Sequence, residues 1–329
     1  MPPSLTQRKG RDKTGMKTVK MKAYAKVNLT LDIVGLQEGY HTLDSLVASV
    51  DVYDLIVLRK RKDNLSFVTM KGMGSESIPP EQNNAWKAAE AFSKTFGTNG
   101  ADITVYKNIP MGAGMGGSSA DVSGVLNGMA KLYNVDDYKK LKMLADGLGS
   151  DTGYMLTGGF ARMQGRGDLV TPLDVTQKLY FLFLCPSSSV STGACYKAYD
   201  KRLETSGFSE PSTQNCIDSL IKGDINGVGR YLTNDLYLPA TDLNKEVETA
   251  YKEALSFSPL GAVMTGSGSC VIALFETKEL CEWAKSRYRG KCRAFVGGTL
   301  VPDYRKTKKD KGWRNPFVLS EEECLEAEE

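Results

Sequence analysis

The segment Pro110-Met-Gly-Ala-Gly-Met-Gly-Gly-Ser-Ser-Ala-Asp121 places four glycines and two serines directly ahead of a helical pattern. Val122, Val125 and Met129 recur at helical spacing, so we predict a loop over residues 111–119 and a helix over residues 120–132. Glycines let a ligand approach the backbone, and the free amides and positive dipole end of a helix start attract phosphate oxygens. The segment therefore predicts an anion-binding loop.

This segment is open to three interpretations besides an anion loop. It could be a glycine-rich turn in which Ser119 or Asp121 only caps the helix. A Walker A loop is excluded because no Gly-Lys-Ser/Thr follows. Residues 112–117 match G-x-G-x-x-G, but a dinucleotide-binding turn follows its strand directly in an early βαβ unit. Here Pro110 interrupts the approach, and a long antiparallel pattern comes first.

Strand and helix patterns surround this loop without strict alternation, which predicts an α+β fold. Strand patterns occupy residues 22–31, 46–58, 101–107, 160–164, 180–185 and 293–300, with a strand-loop-strand unit over residues 262–275. Helical patterns occupy Asn84–Phe96 and residues 135–148, 217–231, 243–254 and 279–287. Asn84 is itself a candidate helix cap.

Composition narrows the classes of function. A chain of 329 residues, 41% hydrophobic and 25% charged, is long enough for two modest domains. His41 is the single histidine, which excludes H-E-x-x-H and multi-histidine metal sites, so no metal ligand is assigned. The seven cysteines form no C-x-x-C pair and are odd in number, which favours a reducing compartment. Without a long apolar segment or an apolar N-terminal signal, we expect a cytoplasmic protein with no membrane partner.

Charge is concentrated at the two ends of the chain. Basic side chains crowd residues 8–22, and acidic side chains crowd residues 321–329. A basic arm can bind nucleic acid or anionic lipid, but this one has no interleaved aromatic side chains. We therefore predict a disordered basic tail over residues 1–21, a charged tail over residues 304–329 and no nucleic-acid partner.

With these motifs in place, the chain resembles the GHMP kinases, a family named for galactokinase and the homoserine, mevalonate and phosphomevalonate kinases. Residues 110–120 are similar to its phosphate loop, P-x-x-x-G-L-G-S-S-A-A, with Met115 for leucine and Gly117 for the first serine. Thr265-Gly-Ser-Gly268 is similar to its C-terminal glycine motif.

Within this family, four further strings are similar to the branch that phosphorylates a cytidine diphosphate-linked methylerythritol in non-mevalonate isoprenoid synthesis. They are Ala25-Lys-Val-Asn-Leu29, Gly39-Tyr-His41, Leu148-Gly-Ser-Asp151 and Gly158-Gly-Phe-Ala161. The chain departs from this branch at Leu36-Gln-Glu38, where Arg-x-Asp is usual, and at Thr152-Gly-Tyr154, where Val-Pro-Phe is usual.

The resemblance implies two domains with a cleft between them. Residues 22–176 would form an ATP-binding domain like domain 2 of ribosomal protein S5, and residues 177–303 a ferredoxin-like domain. ATP with Mg2+ would lie over the loop, on Pro110, Met111, Gly112, Ala113, Gly114, Met115, Gly116, Gly117, Ser118, Ser119 and the adenine-side Asn84. No all-protein magnesium cage is evident, which suits an ion held mainly by phosphates and water.

The resemblance also assigns roles to residues distant from the loop. Asp151 would accept the proton of the acceptor hydroxyl, Lys26 would assist it, and Asn28 would orient the acceptor. Tyr40 would stack on the cytosine, and the His41 segment would bond to its edge. Each residue also has a structural interpretation: a cap for Asp151, a strand lysine for Lys26, and local turns for the others.

Two other functions stay open from the sequence. One is a GHMP kinase that phosphorylates another small alcohol, of the sugar, homoserine or mevalonate type. The other is a non-catalytic regulator on the same fold that binds a ligand or nucleic acid. The partner we expect is a small-molecule substrate, and the sequence leaves both a monomer and a homodimer open.

Overall fold

The computed structural model describes residues 17–79 and 82–300. The strands of this part are β1 (Thr18–Asn28), β2 (Thr30–Gln37), β3 (Tyr40–Lys60), β4 (Phe67–Lys71), β5 (Ala101–Tyr106), β6 (Phe160–Gly165), β7 (Leu169–Leu173), β8 (Tyr180–Cys185), β9 (Thr233–Asn234), β10 (Gly261–Met264), β11 (Val271–Phe275) and β12 (Arg293–Gly298). Its α-helices are α1 (Asn84–Phe96), α2 (Gly117–Tyr133), α3 (Tyr138–Asp146), α4 (Thr152–Met155), α5 (Thr192–Ser206), α6 (Thr213–Ile221), α7 (Ile225–Arg230), α8 (Tyr237–Leu243), α9 (Lys245–Leu255) and α10 (Lys278–Arg287).

The first sheet has eight strands and is organised around the long strand β3. Antiparallel neighbours β1, β2, β5 and β6 pair with successive parts of β3, and β4, β7 and β9 extend the sheet. The single strand predicted over residues 22–31 is two strands, since the chain bends at Leu29. The amide of Leu29 donates to the carbonyl of Leu46 at 2.8 Å, which fixes this bend against β3.

The second sheet is antiparallel and has the order β10-β11-β8-β12. Its strand β8 separates two hydrophobic cores, because alternate side chains of a strand point to opposite faces. Phe181 and Phe183 pack in the core shared with the first sheet, whereas Leu182 and Leu184 pack against α5, α8, α9 and α10. The two predicted halves are therefore joined through a continuous apolar layer.

The helix α2 is the structural centre of the first half. Most of its side chains are buried, and it lies across β1 and β3. A Cβ added at Gly124 would lie 2.6 Å from the Cδ1 of Ile56 and 2.9 Å from the Cβ of Ala23. Glycine at this position therefore allows the helix to approach the sheet closely. This packing fixes the position of the N-terminal end of α2.

Several sequence predictions need correction. The basic tail predicted over residues 1–21 overlaps β1, since Thr18 to Met21 pair with Arg59 to Ile56; residues 1–16 lie outside the described part. The tail predicted over residues 304–329 also lies outside it. The helix predicted over residues 135–148 is shorter, and begins after Asp137, which caps it by accepting from Lys140. The helices α5 and α8 were not predicted.

A disulfide joins Cys185 at the end of β8 to Cys270 just before β11. The two strands are antiparallel neighbours, which brings the two Cα atoms to 4.1 Å. The spacing of the cysteines in the sequence does not predict this contact. The other cysteines of the described residues, Cys195, Cys216, Cys281 and Cys292, are free. Across residues 17–79 and 82–300, the helices are all too short or too polar to cross a membrane.

Candidate active site

The glycine-rich loop alternates exposed backbone with buried side chains. Gly112, Gly114 and Gly116 have φ angles of 64°, 74° and 70°, in the left-handed region that favours glycine. Between them, Ala113 and Met115 are 3% and 1% exposed, because their side chains enter the core. The loop is thus anchored by its two apolar side chains, and its glycines leave the backbone accessible.

Gly116 is the N-cap residue of α2, and no side chain of the described residues caps this helix start. The first helical backbone bond runs from the amide of Ala120 to the carbonyl of Gly116 at 2.9 Å. Residues 117–119, predicted as loop, form the first turn of the helix, so the predicted boundary is three residues late. Ser119 and Asp121 do not cap the helix, so the predicted alternative of a helix cap at either residue is wrong. The first-turn amides and the helix dipole together favour an anion here.

The second glycine motif packs directly against this loop. The amide of Cys270 donates to the carbonyl of Ala113 at 3.2 Å. A Cβ added at Gly114 would overlap the carbonyl oxygen of Thr265, so only glycine lets the two backbones meet. The two motifs that the sequence placed about half a chain apart therefore form one backbone surface.

A cavity of about 400 Å³ opens over the loop and the start of α2. Apolar side chains of Met70, Ile78 and Ile109 also line it. The predicted ATP-binding residues all line this cavity: Pro110, Met111, Gly112, Ala113, Gly114, Met115, Gly116, Gly117, Ser118, Ser119 and Asn84. A cavity with an apolar wall and a free helix end suits a nucleotide with a polyphosphate.

The two neighbouring asparagines at the start of α1 have different roles. Asn83 is the helix cap, and its side-chain oxygen accepts from the amides of Ala85 at 2.9 Å and Trp86 at 3.4 Å. Asn84 is the first helical residue, and its side-chain amide donates to the hydroxyl of Ser118 at 2.7 Å. The capping interpretation of Asn84 is therefore wrong, because its side chain instead joins α1 to the first turn of α2.

A buried lysine lies behind the phosphate loop. The ammonium of Lys107 donates to the carboxylate of Asp121 at 2.7 Å and also contacts Asp54. Burial raises the pKa of the Asp121 carboxyl to about 8, while attraction to Lys107 opposes this shift. Asp121 Oδ1 has no hydrogen-bond partner in the described residues, and both Lys107 and Asp121 line the cavity. No sequence motif marked Lys107 as a functional residue.

Lys26 and Asp151 meet beside the start of α2. The Lys26 ammonium lies 3.5 Å from Asp151 Oδ2, and these side chains are 7% and 26% exposed. Lys26 also donates to Asn28 Oδ1 at 2.6 Å. A Cβ added at Gly116, the N-cap of α2, would lie 3.2 Å from the Cγ of Lys26. The ammonium and carboxylate are therefore placed where the helix end would hold an anion.

The carboxylate of Asp151 is not used to hold its own backbone. Asp151 is the N-cap residue of α4, but its side chain makes no capping bond. Its carbonyl instead accepts from the amide of Met155 at 3.0 Å. A Cβ added at Gly149 would lie 3.5 Å from the hydroxyl oxygen of Ser119, so this segment packs beside the first turn of α2. The capping interpretation of Asp151 is wrong, and its carboxylate is available to the cavity.

Asn28 is occupied by bonds that hold Lys26 in place. Its Oδ1 also accepts from the amide of Gly266 at 3.1 Å, and its Nδ2 donates to Ser45 at 2.8 Å. Asn28 is 6% exposed. These contacts show that it joins β1, β3 and the second glycine motif around the Lys26 ammonium.

A second cavity of about 550 Å³ shares Gly114, Gly116 and Thr192 with the first. The predicted catalytic and acceptor-binding residues all line it: Lys26, Asn28, Tyr40, His41 and Asp151. The structure therefore divides the predicted site into two adjoining chambers. The Lys26 and Asp151 pair and the phosphate loop lie close to where they join.

Tyr40 and His41, the first residues of β3, have partners that the sequence did not predict. The guanidinium of Arg166 lies 4.3 Å from the centroid of the Tyr40 ring. His41 Nε2 lies 2.7 Å from Asp200 Oδ1, and the ring of Tyr196 packs 4.8 Å from the imidazole. Arg166 and Tyr196 line the second cavity. Of these partners, only Arg166 had a signal in the sequence, because the glycines on either side of it predicted a hairpin turn.

No ready-made metal centre is evident in the described ranges, 17–79 and 82–300. They hold no group of three or more His, Cys, Asp or Glu side chains placed to bind an ion.

Two family descriptions match this chain: "GHMP kinases N terminal domain" over residues 83–160 and "GHMP kinases C terminal" over residues 216–292. A 4-diphosphocytidyl-2-C-methyl-D-erythritol kinase of Cutibacterium acnes is 33% identical over 270 residues, which cover 79% of this chain and 87% of the relative. A kinase of the same name from Clostridium beijerinckii is 33% identical over 279 residues, which cover 82% and 97%.

A solved structure also matches this chain. The chain is similar to a crystal structure of 4-(cytidine 5'-diphospho)-2C-methyl-D-erythritol kinase, with a TM-score of 0.71 and 29% identity. The match covers 85% of this chain and 98% of that chain.

Proposed function

This chain belongs to the GHMP kinases and is a small-molecule kinase, and on that premise we propose that it phosphorylates the 2-hydroxyl of 4-diphosphocytidyl-2-C-methyl-D-erythritol with ATP. The predicted α+β GHMP kinase fold and the predicted enzyme class are thus confirmed. The names of the similar kinases support this acceptor. The reaction would belong to non-mevalonate isoprenoid synthesis.

The observation that carries the proposal is the meeting of Lys26 and Asp151 at the helix end that borders both cavities. The pair lies 3.5 Å apart, and the first turn of α2 offers uncapped amides beside it. Phosphoryl transfer depends mainly on positioning and on stabilising charge at the transferred group. A carboxylate, an ammonium and a helix dipole at one place supply these requirements.

ATP would bind in the smaller cavity, with its polyphosphate against the amides of residues 117–119. Mg2+ fits these residues if phosphate oxygens and water supply most of its ligands. Asp121 Oδ1, which lacks a partner in the described residues, is the carboxylate oxygen that could complete such a shell. When bound, the ion would neutralise phosphate charge.

The acceptor would bind in the larger cavity, with its hydroxyl at the Lys26 and Asp151 pair. The hydroxyl oxygen would bond to the γ-phosphorus as the bond from that phosphorus to the β-phosphate oxygen breaks, which releases ADP. Asp151 would take the hydroxyl proton, and the Lys26 ammonium would stabilise negative charge on the reacting oxygens. Asn28 would act by holding Lys26, through the 2.6 Å bond between them.

Tyr40 and His41 would hold the cytosine at the other end of the same cavity. Tyr40 is 56% exposed, so its ring is accessible to a stacking base. Tyr196 adds a second aromatic side chain next to His41. An aromatic site at one end and a reacting pair at the other suit an acceptor that carries a base and an alcohol.

The decisive test is an ADP-release assay with a panel of acceptors: the cytidine-bearing methylerythritol, homoserine, mevalonate and simple sugars. We expect turnover with the cytidine-bearing acceptor alone, and its loss in Lys26→Met and Asp151→Asn. Matched controls are Lys22→Met, from the same strand, and Asp174→Asn, an exposed carboxylate after β7. Turnover of a different alcohol would reassign the acceptor, and unchanged turnover in Asp151→Asn would remove Asp151 as the base.

A further inference from the structure

One cation in the larger cavity has no anionic partner among the described residues. Arg166 lines this cavity and is exposed, in the turn between β6 and β7. Its backbone amide donates to Asp168 at 2.8 Å, which holds the turn. Its guanidinium makes no hydrogen bond or ion pair with the residues of ranges 17–79 and 82–300. The other lining cation, Lys26, is already engaged by Asn28 and Asp151.

The contact of Arg166 with Tyr40 leaves its donors available. The guanidinium carbon lies 4.3 Å from the ring centroid, a distance typical of a cation over an aromatic face. A guanidinium can stack on a ring while its N–H groups remain free to bind phosphate oxygens in pairs. Arg166 is therefore fixed by an aromatic contact that does not satisfy its charge.

We propose that Arg166 binds the diphosphate of the acceptor and thereby selects nucleoside diphosphate-linked alcohols over uncharged ones. This inference rests on the proposed function, because that acceptor carries a diphosphate between its base and its alcohol. Arg166 lies beside the proposed base-binding Tyr40, in the cavity that also holds the Lys26 and Asp151 pair. Arg166 does not line the smaller cavity, so it would not bind the phosphates of ATP there.

The test compares binding of cytidine and of cytidine diphosphate to the full chain by titration calorimetry. For the wild type, cytidine diphosphate binds more tightly than cytidine. In Arg166→Gln, which keeps a planar side chain without charge, cytidine diphosphate binding weakens by about 10- to 100-fold and cytidine binding changes less than about threefold. The matched control is Arg287→Gln, because Arg287 also stacks on an aromatic ring, Trp283, at 4.7 Å but lines neither cavity.

The possible failures are distinguishable. If the wild type turns over the cytidine-bearing acceptor but Arg166→Gln keeps the wild-type ratio of the two affinities, this inference is overturned and the proposed function stands. Equal weakening of both ligands assigns Arg166 to the base instead, and also overturns it. A wild type that binds neither ligand overturns the proposed function and this inference together.

A second measurement does not depend on a variant folding. Raising the salt concentration from 50 to 500 mM weakens binding of cytidine diphosphate to the wild type by several-fold and leaves cytidine unaffected, since salt screens exposed charges. An equal salt response for the two ligands contradicts a charged contact with the diphosphate.

Discussion

The backbone amide of Lys26 donates to the carbonyl of Met115 at 3.1 Å. This bond ties β1, which carries the candidate catalytic ammonium, to the loop that leads into α2. Because Met115 is anchored in the core, the loop and the ammonium keep one relative position. The phosphate-binding backbone and the reacting pair are thus parts of a single rigid unit.

Gly116→Ala should damage activity more than stability. Gly116 has a φ of 70°, and an added Cβ would overlap the Cε of Met155 and lie 3.2 Å from the Cγ of Lys26. We expect a loss of about 1–2 kcal/mol in the free energy of unfolding from the left-handed backbone. Displacement of Lys26 should add a loss of at least about tenfold in kcat, measured by ADP release.

Gly97→Ala is the matched control, because Gly97 has a φ of 63° at the end of α1 but nothing lies within 4 Å of an added Cβ. Thermal unfolding should show similar destabilisation of both variants. Full kcat in Gly116→Ala would contradict a tight coupling between the helix cap and Lys26.

Asp151→Asn should lower kcat by about 10²- to 10⁴-fold, the range expected for loss of a general base. The KM for ATP should change less than about threefold, because the nucleotide binds in the other cavity. The measurement is a steady-state assay with both substrates varied. A variant with near-normal kcat but a much higher KM for the acceptor would make Asp151 a binding residue.

Asn83→Ala and Asn84→Ala should separate stability from nucleotide binding. Asn83 caps α1, so its loss should cost about 1 kcal/mol of unfolding free energy. Asn84 bonds to Ser118 instead, so its loss should raise the KM for ATP by about 3- to 10-fold with a smaller effect on stability. Unfolding and ATP saturation measured on both variants check this pair, and the reverse order of effects would exchange the two assignments.

The sequence predicted those parts of the site whose signals are local. The loop and α2 follow from a run of glycine and serine ahead of helical spacing. The catalytic pair could be proposed only through a family resemblance, because Lys26 and Asp151 are brought together by the packing of β1 and α4 against α2.

Other features carried no local signal. The helix α5 buries only Cys195 and Tyr199, so no apolar stripe marks it in the sequence. The contacts of His41 with Asp200 and of Tyr40 with Arg166 join elements far apart in the chain. They depend on tertiary packing that places α5 and the turn between β6 and β7 beside the start of β3.

Tyr154→Phe tests the departure next to Asp151. The buried Tyr154 hydroxyl donates to the carbonyl of Gly159 at 2.6 Å and lies 3.1 Å from Ser49 Oγ. Removing it leaves the Gly159 carbonyl with one donor, the backbone amide of Ser49 at 3.0 Å, so we expect a loss of about 0.5–1.5 kcal/mol in unfolding free energy. Since the hydroxyl bonds away from Asp151, kcat should stay within about twofold.

The control is Tyr106→Phe, at an exposed side chain on β5. Chemical denaturation should show a clear loss only for Tyr154→Phe. A fall in kcat without a loss of stability would mean that this tyrosine, in place of the family's phenylalanine, acts on the carboxylate of Asp151.

Asp200→Ala should weaken acceptor binding without affecting chemistry. Asp200 Oδ1 lies 2.7 Å from His41 Nε2, so the carboxylate can hold the imidazole with Nε2 as donor and Nδ1 left as an acceptor. Its side chain is 48% exposed, which limits the free energy that the contact contributes. We expect the KM for the cytidine-bearing acceptor to rise by about 3- to 10-fold, with kcat and the KM for ATP unchanged.

Asp242→Ala removes a carboxylate of similar exposure, 47%, which pairs with Arg202 and lines neither cavity. Steady-state kinetics should leave this control like the wild type. If Asp200→Ala instead lowers kcat at saturating acceptor, or if both variants raise the acceptor KM equally, then Asp200 does not act through His41. In that case the contact with Tyr196, whose ring packs 4.8 Å away, would hold the imidazole in position.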